Sequence, residues 1–484
     1  MLAVIDIGTS HLKLAVFHEC HCVDTIERKN VTYQPNPGSQ EQNPVQILAD
    51  VKGMFYEANK KWSITKILFS SQMHSFILTT ATGEVIQPSL IWSDQRASKL
   101  GVQFQQSALA DKIYHQTGTP IHAMSPFIKA YYYKQKEPKQ FGNPNLRMMG
   151  IKTYLIWQLT GEFVIDIPTA STSGMMNLQT KNWDKTILSL LGMTPNQLPK
   201  IVSSLMPLQM VEIGSHNRQV LIYPGSTDGA LANYAYEALT TKQLLLSFGT
   251  SGAIRYLSEK PHLSSANDLF CYLVADNGPY LIGGALNNMG NILANTYQNP
   301  DVNQTMSFED MLSVMVASNF PPNHFIYLPY QYGERAPFWN SELTVQCIGN
   351  WHNASSHDKL QAIFAGIFYQ VRLLLDKIHE QFFHNGGRPL LVNGKIFQHP
   401  TVCQKVATIL NYPIQPLTMG DASLIGGYRL LTHQEIPVSQ ADGVFYPVKE
   451  QVDVYTQQYQ QFKQNAYHQD RRVKDKLTME SSDK

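Results

Sequence analysis

Two stretches decide the fold: Leu2-Ala3-Val4-Ile5-Asp6-Ile7-Gly8-Thr9-Ser10 at the N-terminus, and Leu244-Leu245-Leu246-Ser247-Phe248-Gly249-Thr250-Ser251-Gly252 near the middle of the chain. In each, an apolar run ends in a Gly-Thr-Ser turn. A strand-like run follows, Leu12, Leu14 and Val16 after the first and Ala253-Ile254-Arg255-Tyr256-Leu257 after the second. Both read as hairpins with a glycine and hydroxyls at the tip. Gly8 and Gly249 lie about half the chain apart, which points to two similar lobes, each offering a hydroxyl-rich turn to a shared cleft. Spacing alone also admits two unrelated hairpins.

The rest of the chain is compatible with that division. Its 484 residues are 43% apolar and 15% charged, and 38 basic residues nearly balance 37 acidic ones. This length predicts two to four domains, most simply two large ones with sizeable cores. The balanced charge argues against a nucleic-acid partner, and no uninterrupted 18-residue apolar run predicts a membrane span. An acidic residue at position 6 and the lack of a basic leader argue against a secretory signal. Five cysteines, an odd number, fit free thiols in a reducing cytoplasm.

Between and beyond the hairpins the elements are mixed α/β. Residues 64–69, 76–80 and 220–223 read as strands, and 152–159 as a helix. Residues 239–243 read as the connector between lobes. Residues 358–383 form the clearest helix, with Ile363, Ile367, Val371, Leu374, Ile378 and Phe382 on one face. Ser355 to Asp358 offer its capping start and Gly386-Gly387 its stop. From Lys449 the chain reads as a surface helix ending in a disordered stub. The expected division is therefore 1–240, 241–448 and a tail of 449–484.

Three groups of residues carry chemistry. Asp6 ends a buried strand, where a carboxylate needs a partner such as a divalent cation. Beside it, Gly8, Thr9, Ser10 and Lys13 offer backbone N–H, hydroxyl and ammonium donors for a phosphate. Gly225-Ser226-Thr227-Asp228-Gly229 stands at a strand-to-helix turn, where Asp228 is either a proton acceptor for a substrate hydroxyl or part of a helix cap. No GxxxxGK[ST] loop and no strong dinucleotide fingerprint is present.

Together these blocks resemble the FGGY carbohydrate kinases over nearly the whole chain. Asp6-Ile7-Gly8-Thr9-Ser10 is similar to that family's first phosphate motif, Ser247-Phe248-Gly249-Thr250-Ser251-Gly252 to its second, and residues 225–229 to the segment with its catalytic aspartate. Further matches are Gln72-Met73-His74-Ser75, Trp92-Ser93-Asp94-Gln95-Arg96 and Thr117-Gly118-Thr119-Pro120-Ile121-His122. Within the family, His122-Ala123-Met124-Ser125-Pro126, Gly283-Gly284-Ala285-Leu286-Asn287-Asn288 and Gly333-Glu334-Arg335-Ala336-Pro337-Phe338-Trp339 look most like gluconate kinases.

The resemblance implies two actin-like (ribonuclease-H-like) lobes that close on ATP, Mg²⁺ and a sugar, and a cytoplasmic monomer or homodimer. It implies Asp228 as general base and Asp6 as holder of Mg²⁺. Thr9, Ser10 and Lys13 would meet the transferred phosphate, Gly249, Thr250 and Ser251 would grip it from the other lobe, and Gly290 and Gly394 would line the nucleotide site. Met73 and His74 would contact the sugar, with Trp92, Asp94 and Arg96 nearby. The acceptor it implies is D-gluconate, whose carboxylate needs a cation from among Arg96, Lys129 and Arg335. Xylulose or another polyol is the alternative. The adenosine segment, Asn393-Gly394-Lys395, departs from the family's paired glycines, as do Thr408 from an acidic residue and Ala365 and Asp421 from glutamates.

Two readings from other classes compete. An actin-like switch ATPase would share the turns but not the sugar blocks, and a sugar-binding regulator without activity would not need both aspartates. His18, Cys20, His21 and Cys22 lack the spaced partners of a closed zinc site, and Cys20 and Cys22 are expected on one hairpin face. Tyr131-Tyr132-Tyr133 reads as packing around a helix rather than a stacking platform.

Overall fold

The computed structural model describes residues 1–210, 220–236, 243–299, 302, 306–317, 325–382, 388–418, 420–436, 439–440 and 443–482. The expected connector at 239–243, apart from its last residue, and the Gly386-Gly387 stop lie outside them.

The first lobe is built on β1 (Leu2–Ile7), β2 (His11–His18), β3 (His21–Lys29), β4 (Lys66–Ser71), β5 (Leu208–Gln209) and β6 (Leu221–Thr227), ordered β5-β6-β4-β1-β2-β3 in the sheet. β1 pairs antiparallel with β2 and parallel with β4, and β4 pairs parallel with β6. The second lobe repeats this arrangement with β7 (Leu245–Phe248), β8 (Gly252–Ser258), β9 (Phe270–Leu273), β10 (Tyr280–Leu286), β11 (Leu390–Asn393), β12 (Ile414–Thr418) and β13 (Ser439–Gln440). Its order is β9-β10-β8-β7-β11-β12-β13, again with an antiparallel hairpin beside two parallel strands. The two Gly-Thr-Ser hairpins are thus equivalent elements of two similar sheets.

β1 is buried at every position, as a strand covered on both faces must be. One face packs on helix α1 (Pro44–Lys61) through Ile47, Val51, Met54 and Phe55. The other face meets α7 (Ala422–Thr432), so Val4 and Leu68 share a cluster with Leu424 and Tyr428 from far along the chain. A further four-stranded sheet, formed by Glu41–Gln42, Val85–Leu90, Phe76–Thr80 and Leu146–Met149, carries residues 91–96 on a loop leaving one of its strands. It packs with α2 (Pro126–Lys136), where Tyr133 stacks on Phe76, as expected of a packing tyrosine. α3 (Ile151–Thr160) and α6 (Ser356–Phe382) match the periodicity read from the sequence. Ser355 Oγ accepts the Asp358 N–H at 3.2 Å, which caps α6.

The tail departs from expectation. α8 (Lys449–Ser482) buries Tyr455, Tyr459, Phe462 and Ala466 in the core of the second lobe and runs helical through 482. The Tyr459 hydroxyl donates to Asp376 at 2.5 Å, and the Arg372 guanidinium lies over its ring at 4.5 Å. Four apolar anchors at three- and four-residue steps among Gln and Lys suffice to seat a helix. Cys20 falls in the β2–β3 turn, so it shares no strand face with Cys22.

Candidate functional site

Two carboxylates stand near one another, Asp6 in β1 and Asp228 just beyond β6. Asp6 ends β1 opposite Ser70, whose hydroxyl donates to it at 2.6 Å, and the Ser423 hydroxyl at the start of α7 donates from the other side at 2.8 Å. Burial raises its pKa even against those two bonds. Asp228 arrives beside it through an irregularity. The pairing of β6 with β4 shifts between Tyr223 and Ser226, and Gly225 has φ +69°; a Cβ there would fall 2.0 Å from the Phe69 carbonyl oxygen. That bulge turns Asp228 into the cleft as the first residue of α4 (Asp228–Ala235).

The capping alternative fails here. Thr227 occupies the cap position and makes no side-chain cap bond, while among the described residues Asp228 accepts only the Gly229 N–H, at 2.6 Å. Burial, followed by the charge of Asp6, pushes the Asp228 carboxyl up to about 7. Two desolvated carboxylates flanked by hydroxyls form an oxygen-only donor set, which suits a hard divalent cation.

The two Gly-Thr-Ser turns reach a common cavity, lined by Thr9 from one and Thr250 from the other. Gly8 N–H bonds to His11 O at 3.0 Å, and Gly249 N–H to Ser251 O at 2.9 Å. The Thr9 hydroxyl donates to Gln72 at 3.0 Å and receives the Trp92 indole N–H at 3.1 Å, while Ser10 is exposed. Gly290, first residue of α5 (Gly290–Gln298), donates its N–H to Gly249 O at 3.0 Å, and Gly394 packs on Phe248 below the same turn. Lys13 is committed to Asp421 at the start of α7, Nζ to Oδ1 at 2.5 Å.

A cavity of about 380 Å³ opens between the lobes, lined among others by Thr9, Trp92, Asp94, His122, Thr250 and Asn287. The Met73 methyl packs against Gly229. His74, at φ +65°, is buried with Nδ1 2.9 Å from Thr172 O and its ring edge-on to Tyr272. Burial and the charges of Lys129 and Arg335 hold His74 neutral, and burial with Arg335 and Lys129 takes His122 down to about 3.

The three cations expected to compete for a substrate carboxylate differ sharply. Arg96 is bound by Asp94 at 2.7 Å and Glu41 at 2.8 Å, so its charge is spent. Lys129 donates to the carbonyls of His74 and Ile91 at 2.8 Å each, and burial takes its ammonium down to about 7. Arg335 lies over the Trp92 ring at 4.5 Å and donates to Asn287 Oδ1 at 2.7 Å and Leu286 O at 3.0 Å. No carboxylate oxygen comes within ion-pair distance of it among the described residues.

The sequence reading passed over Arg255, Ser70 and Ser423. Arg255 stands in an otherwise apolar strand run, and a lone cation in such a run was the available signal. Nothing local marks the serines, because only the sheet register and α7 bring them to Asp6.

Comparison with known proteins agrees over both halves. Residues 1–229 match the N-terminal domain of the FGGY family of carbohydrate kinases, and residues 244–434 match that family's C-terminal domain. The gluconokinase of Bacillus subtilis (strain 168) is 29% identical over 387 residues, covering 76% of this chain and 74% of its own. A xylulose kinase of Lactococcus lactis is 25% identical over 443 residues, covering 87% and 85%. Among solved structures, a ligand-bound xylulose kinase from Lactobacillus acidophilus superposes with TM-score 0.86, and a gluconate kinase from the same organism with 0.85. Each is 25% identical and covers 97% of this chain and 98% of its own. Among the described residues no helix is long and apolar enough to cross a membrane.

Proposed function

The chain belongs to the FGGY family of carbohydrate kinases, and from that premise we propose that it transfers the γ-phosphoryl group of ATP to the terminal primary hydroxyl of D-gluconate, giving 6-phosphogluconate. The observation that carries this reading is the charge of the acceptor pocket. Arg335 lies against Trp92 and Asn287 of the cavity wall with no carboxylate partner among the described residues, and burial with the nearby cations keeps His74 and His122 neutral. A sugar acid supplies the missing anion, whereas a neutral ketose leaves a desolvated guanidinium uncompensated.

The residues then divide the work. Asp228, ionised, accepts the proton of the acceptor hydroxyl as that oxygen bonds to the γ-phosphorus and the bond to the β-phosphate oxygen breaks, releasing ADP. Asp6 would hold Mg²⁺, which when bound would neutralise charge on the phosphate oxygens. Thr9 and Ser10 from one turn and Gly249, Thr250 and Ser251 from the other position the phosphates, Lys13 being held by Asp421, and Gly290 and Gly394 leave room for the nucleotide. Met73, His74, Trp92 and Asp94 orient the sugar, Asp94 in part by fixing Arg96. Two lobes around one cleft exclude the water that would otherwise accept the phosphoryl group.

The test is ADP release from Mg-ATP with gluconate, xylulose, glycerol, ribulose, rhamnulose and fuculose, and with no sugar. Gluconate-dependent release is expected. Turnover with xylulose alone replaces the acceptor and keeps the reaction, and release without sugar points to a switch ATPase instead.

A further inference from the structure

Arg255 is a second cation beside the Asp228 turn, and among the described residues it is unspent. It sits in β8 opposite Gly283 of β10, and its side chain crosses to the turn that carries Asp228. There its Nη2 lies 3.1 Å from where a side chain on Gly229 would begin. Its Nε is shielded from solvent without a hydrogen-bond partner, and no hydrogen bond or ion pair engages the guanidinium among the described residues. Asp228 is near enough to stabilise its charge but does not pair with it. An arginine offers five donors in a rigid fork, so leaving them all unused in a desolvated place is costly unless a ligand takes them up.

Arg335 is its neighbour. Burial, with the Arg255 charge beside it, draws Arg335 down to about 10 even though Glu334 is adjacent. Glu334 itself is turned away, receiving the Asn287 and Arg335 N–H groups at 2.6 and 2.8 Å and the Asn288 amide at 2.9 Å. Two guanidiniums therefore stand near one another, Arg255 at the turn of the proposed base and Arg335 against Trp92 and Asn287, which line the cavity.

We propose that Arg255 and Arg335 form a two-guanidinium clamp on the acceptor's carboxylate, and that this clamp selects an aldonate over a neutral sugar. The inference rests on the sugar-acid reading and names what enforces it. The transferred phosphate is a poorer fit for the pair. Arg255 is four residues beyond Ser251, about 13 Å along an extended strand, whereas the phosphate belongs at the Gly-Thr-Ser tips. Arg255 stands instead at the Asp228–Gly229 turn and Arg335 over the Trp92 ring, among the residues proposed to hold the acceptor.

The test compares D-gluconate with D-gluconamide, which has the same chain and primary hydroxyl but no charge. Wild type is expected to favour gluconate in kcat/KM by at least about tenfold, the value of a charge-assisted pairing. Arg255→Gln should lower kcat/KM for gluconate about 10- to 100-fold and leave gluconamide within a few-fold, so that the preference collapses; Arg335→Gln should do the same. A folded Arg255→Gln enzyme that keeps the wild-type preference overturns the clamp while leaving gluconate phosphorylation intact. Should the glutamine variants fail to fold, wild type alone decides: equal kcat/KM for the two acceptors overturns the clamp, and a preference that weakens with added salt supports it. Turnover with xylulose but neither six-carbon acceptor removes the gluconate reading and the clamp together.

Discussion

At the residue scale the site depends on where charge is left without a partner. Asp228→Asn should lower kcat by at least about 100-fold with sugar binding largely kept, since an amide cannot take the proton; single-turnover kinetics and sugar titration read the two separately. The raised carboxyl also has a thermodynamic signature. An acid held near 7 in the fold, against an ordinary 3.8, keeps its proton more tightly when folded. Its contribution to stability is therefore present at low pH and lost as pH rises through 7. The Tm of wild type should fall from pH 4 to 7 relative to that of Asp228→Asn. Carbon NMR of labelled aspartate should show Asp228 titrating lower in Asp6→Asn, because one neighbouring negative charge is gone. Asp6 and Asp228 were legible in the chain because each ends an apolar run at a glycine turn. Arg255 stands out in Ala-Ile-Arg-Tyr-Leu as a lone cation, but nothing there says which way its side chain faces.

At the element scale the close contact of α7 with α4 is decisive. A Cβ on Gly426 would lie 2.0 Å from the Leu231 carbonyl oxygen, so the helices meet backbone to backbone. Ser423 reaches Asp6 only from that seat. Gly426→Val should force the helices apart, lowering Tm and weakening Mg²⁺-dependent activity together; a variant with unchanged Tm would show that the contact yields freely. The α6 cap makes a smaller claim. Ser355→Ala should cost about 1 kcal/mol in urea unfolding, the usual value of an N-cap hydroxyl, with kcat untouched. α6 was readable because its apolar period is long and dense. α8 was misjudged because its four anchors are diluted by polar residues, and the surface that receives them exists only once the second lobe has formed.

At the scale of the whole molecule the terminal helix is part of the second lobe. Truncation after residue 448 removes Tyr455, Tyr459, Phe462 and Ala466 from its core. At about 1.5–3 kcal/mol for each large apolar side chain, that loss is comparable to a domain's entire stability. The truncated chain should therefore melt far lower or aggregate, as calorimetry would show, and a truncated enzyme of wild-type Tm would return the helix to the surface. The sequence by itself determined the two hairpins with Gly-Thr-Ser tips, the glycine turns beside Asp6 and Asp228, and the family, because these rest on local patterns of apolar runs, glycine turns and motif order. Only the tertiary structure decided which cations remain open. Arg96 is neutralised by Glu41, more than fifty positions away, Lys13 by Asp421 across most of the chain, and Arg255 meets Arg335 through the fold of the second lobe. Whether a charge is available is set by the neighbours that folding brings to it, and electrostatic pairing acts through space rather than along the chain.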